Sequence, residues 1–89
     1  MRRGDDATAY RLARALGNQG HGRALELLGR LTEEGRGTLR SPLQAYVWYG
    51  LAAQRGHASA RAAQDRVARR LQPAELAQAD KLVLGWQPQ

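Results

Sequence analysis

His21 and His57 are the only imidazoles of the chain, and each follows a glycine. A metal site would need further ligands at turn or helical spacing, and neither histidine has a carboxylate or cysteine beside it in sequence. The absence of cysteine also removes thiolate nucleophiles, disulfides and thiolate-held zinc. Ser41, His57 and Asp65 are residue types of a nucleophilic triad, but no oxyanion device accompanies them. Glu33 and Glu34 are adjacent, whereas a pair of acids that hydrolyses a glycoside must flank one bond across a cleft. Gly35 and Gly37 lack the third glycine of a dinucleotide fingerprint and the Gly-Lys-Ser/Thr of a phosphate loop. Tyr46, Trp48 and Tyr49 could box a ligand ring, but aromatics at this spacing also suit the core of a packed helix. These patterns point away from an enzyme, a cofactor and a metal.

The elements that would carry these residues are helical. Residues 5–18 place Ala9, Leu12, Ala13 and Leu16 at spacings of three and four, which predicts a helix closed by Gly17 and Gly20. Residues 22–34 present Ala24, Leu27, Leu28 and Leu31 as a stripe, ended by Gly35. Ser41 can cap the next helix, Pro42 fits its first turn, and Gln44 completes an S-x-x-Q capping box. That helix is expected to stop at Gly56. Residues 58–71 offer Ala60, Ala63, Val67 and Leu71. Pro73 starts a last helix with Leu76, Ala79, Val83 and Trp86 on one side, which the tail 87–89 cannot continue. No stretch alternates as a strand would, so the expected fold class is all-α.

A translation of 36 residues relates several of these positions. Gly20-His21 recurs as Gly56-His57, Ala24 as Ala60, Ala9-Tyr10 as Ala45-Tyr46, and Leu31 falls opposite Val67. The segment Ala24-x-x-Leu27-Leu28-Gly29-x-Leu31, then Glu34-Gly35-Arg36-Gly37, then Ala45-Tyr46-x-Trp48-Tyr49-x-x-Ala52-Ala53-x-x-Gly56-His57-x-x-Ala60 resembles a Sel1-like repeat, a relative of the TPR hairpin. Thr32 stands where that family often has an aromatic, and Thr38 where it has valine. The resemblance implies a right-handed superhelix of α-hairpins. It divides the chain into a partial repeat (5–20), a complete repeat (21–56), a terminal half-repeat (57–71) and a capping helix (73–86). It implies a bacterial adaptor that presents a concave surface to a protein or peptide. The small residues Gly29, Ala52, Ala53 and Ala60 would let hairpins nest, and Trp48 and Tyr49 would fill the angle between them.

Thirteen arginines and one lysine stand against eight acids, a net charge of +6. Such a balance suits nucleic acid or an acidic protein, or reflects the arginine-rich codon usage of a GC-rich genome. In the 36-residue register Glu33 meets Arg69 and Glu34 meets Arg70, which would leave Arg23, Arg30 and Arg66 without partners. The expected partner-binding face is Arg23, Glu26, Arg30, Glu33, Arg66 and Arg70, a mixed-charge groove for an acidic peptide or an ordinary solvated face. The alternative is a nucleic-acid module contacting through Arg23, Arg30, Arg36, Arg40, Arg66 and Arg70. An apolar edge at Leu12 and Leu16 suggests self-association or a longer natural protein. No apolar run reaches the ~20 residues of a membrane span, and the basic N-terminus lacks the apolar stretch of a signal peptide. Both features favour the cytoplasm, or the periplasm if the chain is a piece of a longer one.

Overall fold

The computed structural model describes residues 3–88. Its five helices are α1 (Arg3–Asn18), α2 (Gly22–Glu34), α3 (Pro42–Gln54), α4 (Ala58–Ala68) and α5 (Pro73–Gly85), and no strand occurs among the described residues. The fold is therefore all-α. None of these helices is long and apolar enough to cross a membrane. Met1, Arg2 and Gln89 lie outside the described residues, and with them one arginine of the basic N-terminus and the last residue of the tail.

Turn chemistry sets the helix boundaries. Gly35 adopts left-handed backbone (φ 71°), and its N–H and that of Arg36 both donate to the Leu31 carbonyl, which ends α2. Ser41 caps α3 by accepting from the Gln44 N–H at 3.1 Å, with Pro42 in the first turn. The reciprocal half of that capping box is absent, because the Ser41 N–H donates to the Thr32 carbonyl at 3.0 Å. The reciprocal contact forms instead at α5, where the Gln72 N–H donates to Glu75 Oε1 at 2.8 Å.

The corner between α1 and α2 is repeated between α3 and α4. Gly20 and Gly56 have φ 91° and 88°. The Gly20 N–H donates to Gly17 O at 2.8 Å and the Gly56 N–H to Ala53 O at 3.0 Å; the His21 N–H reaches Leu16 O at 3.3 Å and the His57 N–H reaches Ala52 O at 3.4 Å. Both histidines then occupy extended N-cap positions. Every partner in the second corner is the first corner's partner shifted by the 36 residues seen in sequence.

Helix α3 is the centre of the molecule and packs against α2, α4 and α5. Its Ala45, Val47, Trp48, Tyr49, Leu51 and Ala52 are all buried. Each large apolar side chain so buried contributes roughly 1.5–3 kcal/mol, which makes this helix the principal source of packing stability. Gly29 lets α2 approach α3: a Cβ there would stand 2.6 Å from two carbons of the Tyr49 ring. The aromatics Trp48 and Tyr49 are core, as helical packing requires, not an open ligand box.

Two apolar stripes differ from the sequence reading. On α2, Leu25 is fully buried and Leu27 only partly so, because Leu25 and Leu28 both pack against Gly17 of α1. On α1, Ala13 and Gly17 are buried whereas Leu12 and Leu16 are 62% and 47% exposed. Leu71, Leu76, Val83 and Trp86 are half-buried, so the outer faces of the C-terminal region are only partly covered.

Candidate functional site

Long polar side chains bridge the seam between α2 and α4. Arg66 on α4 donates from Nη2 to both Glu33 oxygens at 2.7 and 2.9 Å, and the Tyr49 hydroxyl donates to Glu33 Oε1 at 2.7 Å. About two helix turns back on the same side, the Ser59 hydroxyl donates to Glu26 Oε2 at 2.5 Å and His57 Nδ1 lies 4.0 Å from Glu26 Oε1. A shallow groove of about 300 Å³ runs along this seam, lined by Glu26, Arg30, Glu33, Arg66 and the edge of Tyr49.

The electrostatics follow from this packing. Burial works to raise the Glu33 pKa, but hydrogen bonds from Arg66 and Tyr49 and the charges of Arg66 and Arg70 outweigh it, so the carboxyl sits below its ordinary 4.5. Burial and the hydrogen bond to Glu33 push the Tyr49 phenol well above its ordinary value. Tyr46 is raised to about 12 by burial and then by its 2.6 Å hydrogen bond to Asp80 of α5.

The acids pair differently from the expectation of the 36-residue register. Glu33 pairs with Arg66, not Arg69, and Glu34 pairs with Arg36 at 3.1 Å, not Arg70. Residues related by the repeat point the same way around their helices. The residue that faces a given side chain across the seam therefore lies part of a turn back. Both seam contacts, Glu26–Ser59 and Glu33–Arg66, accordingly span 33 residues. Arg66, expected to stand unpartnered, is thus the structural cation of the seam.

Four residues of the predicted face, Glu26, Arg30, Glu33 and Arg66, come together in the seam groove, and Arg70 is close enough to act on Glu33 through its charge. Arg23 is not with them. It borders a separate apolar groove between α1 and α2. Arg23 and Arg30 are exposed, and among the described residues neither has a carboxylate within ion-pair distance.

The residue types of the nucleophilic triad do not assemble. Ser41 is committed to its cap at the start of α3, whereas His57 follows the end of that helix. A helix of 13 residues puts about 20 Å between its ends. His57 instead meets Glu26, a neighbour 31 positions away that no local spacing could reveal. The described residues contain no cluster of three or more histidine, cysteine or acidic side chains able to hold a metal. The Gly35–Gly37 loop serves packing: a Cβ on Gly37 would collide with the Asp6 carbonyl of α1, and Arg36 pairs with the Asp6 carboxylate at 3.0 Å.

Arg55 was not visible as a special residue in the sequence. It donates from Nε to the Gly20 carbonyl at 2.5 Å and lies 5.3 Å from the Trp86 ring centroid, joining the first corner to the end of α5. No protein-family model, curated protein or solved structure matches the chain.

Proposed function

We propose that this chain is a non-enzymatic interaction scaffold of the Sel1-like type, in which stacked α-hairpins present a concave surface to a peptide or protein. The observation that carries this reading is the duplicated corner: the same glycine, histidine and backbone hydrogen bonds recur after 36 residues. A module repeated by translation builds a rigid surface with regularly spaced side chains, which is how hairpin arrays bind partners. On this reading the α2–α4 face is the binding surface. Glu33 and Arg66 hold its shape, while Arg30 and Arg70 meet carboxylates of the partner as fork-shaped donors. Arg23 extends the basic character toward α1, and Glu26 is engaged by Ser59.

Capture from nuclease-treated lysate of the source organism tests this reading. A protein partner retained by the intact chain and lost with the double variant Arg30→Glu/Arg70→Glu is the expected result. Capture that disappears on nuclease treatment would favour nucleic-acid binding through the exposed arginines. Binding to duplex DNA would then fall by orders of magnitude between low and moderate salt, as it does for proteins with many phosphate contacts.

A further inference from the structure

The two hairpins share a corner but not a level of burial. Ala45, Trp48, Tyr49, Ala52, Ala60 and Ala63 on α3 and α4 are all buried. Helix α2 packs on the α3 part of this surface, with Gly29 on the Tyr49 ring and Glu33 on its hydroxyl, and reaches α4 through Glu26 and Glu33. Subtracting 36 gives Ala9, Leu12, Ala13, Leu16, Ala24 and Leu27. These six residues line one open apolar groove of about 340 Å³ on α1 and α2, with Arg23 at its rim. The surface that accepts α2 in one hairpin is therefore present, uncovered among the described residues, in the other.

We propose that this groove docks a partner helix lying on α1 and α2 as α2 lies on α3 and α4. The chemistry of that helix follows from the substitutions between the two surfaces. The acids of α2 at the seam, Glu26 and Glu33, are seven residues apart and meet Ser59 and Arg66. The equivalents of Ser59 and Arg66 are Arg23 and Arg30, both exposed. By this equivalence a docked helix carries two carboxylates seven residues apart, one for Arg23 on the groove's rim and one for Arg30, which extends from α2 beside the α2–α4 groove. Between them it differs from α2. Gly29 has no room for a side chain because Tyr49 fills the space, whereas Ala13 stands at the Tyr49-equivalent position. The docked helix has a large apolar residue there. The groove adds a second, apolar surface to the scaffold reading and rests on the repeat, not on the polar α2–α4 face.

The probe is a peptide of residues 21–35 carrying Gly29→Leu, held helical by a side-chain bridge on its far face. It is titrated into the isotope-labelled intact chain and followed by NMR. Saturable shifts at Leu12, Leu16, Ala24 and Leu27 are expected, with affinity at least ~10-fold above that of the unmodified peptide, the scale of one buried leucine. Glu33→Gln in the peptide is expected to weaken binding about threefold, as an exposed charge pair does. Glu33→Arg in the peptide should be rescued by Arg30→Glu in the protein. Three results would overturn the proposal: no saturable shift, shifts confined to α3 and α4, or equal affinity for both peptides. Concentration-dependent self-association in sedimentation, abolished by the exposed substitution Leu12→Glu, would also overturn it by assigning the groove to a second copy. Partner capture that survives Leu12→Glu and is lost with Arg70→Glu alone belongs to the polar α2–α4 face, so the two readings fail separately.

Discussion

The α1–α2 hairpin and the α3–α4 hairpin turn the same corner, yet their apolar faces meet different fates. Trp48 is 9% exposed, and its 36-residue counterpart Leu12 is 62% exposed. Tyr49 lies under α2 with its hydroxyl on Glu33, while its counterpart Ala13 borders an open groove. Local sequence builds the turn in both cases. Burial is decided by which helix lies over the face, a property of the neighbour and not of the hairpin itself. A second contrast lies on the far side of α3. Gly50 there admits Val83 of α5, and Tyr46 bonds to Asp80. Arg14, the counterpart of Gly50, borders a groove between α1 and α3 that Tyr10 and Gln44 also line, and these two have the same 34-residue separation as Tyr46 and Asp80.

Substitution at the paired positions should show the largest contrast. Trp48→Ala is expected to destabilise the chain by ~3–5 kcal/mol through the cavity it leaves. Leu12→Ala should cost less than ~1 kcal/mol because the side chain is largely in water already. Urea unfolding followed by circular dichroism measures both, and similar losses would dissolve the contrast between buried and open faces.

A smaller effect is expected at the close approach of α2 to α3. Gly29→Ala drives a methyl into the rigid Tyr49 ring and should cost about 1–3 kcal/mol despite the gain in helix propensity. Gly17→Ala meets the flexible Cδ1 end of Leu28 at the same 2.6 Å. It should cost less, and a larger loss at Gly17 would place the tighter approach inside the α1–α2 hairpin instead of between α2 and α3.

The polar seam should contribute less again and should depend on pH. The folded pKa of Glu33 is lowered, so its contribution is complete above about 4.5 and is lost as pH falls through the folded value. Glu33→Gln should cost about 1 kcal/mol at neutral pH, given the exposed partner Arg66, and should flatten the acid limb of the stability curve. Denaturant midpoints from pH 3 to 7 test this, and an unchanged acid limb in the variant would remove Glu33 from the seam's energetics. At alkaline pH the sign is reversed. The Tyr46 pKa is raised, so its contribution is complete below the ordinary 10.0 and is lost as pH rises through about 12. Phenolate absorbance should show this late ionisation, and Tyr46→Phe should remove its share and leave that of Tyr49.

Much of this fold was legible in the sequence because its punctuation is chemical. Gly35, Gly56, Ser41 with Pro42, and Pro73 mark helix ends through left-handed backbone, a side-chain cap or a missing N–H. The faces of α2 were harder to read, since apolar residues at 24, 25, 27, 28 and 31 cover more than one stripe. Choosing Leu25 over Leu27 requires knowing that Gly17 lies opposite. Pairing across the seam was misassigned because equivalence under the repeat is not the same as contact. Nothing local in the sequence marks Arg55, because its partners, Gly20 and Trp86, stand 35 and 31 residues away.

A solution NMR structure of the intact chain bears most directly on the shared hairpin. Backbone dihedrals should be left-handed at both Gly20 and Gly56, residues 9–27 should superimpose on 45–63, and Gly29 Hα should show nuclear Overhauser contacts to the Tyr49 ring. Two corners of different backbone geometry, or a Tyr49 ring remote from Gly29, would contradict a module repeated by translation.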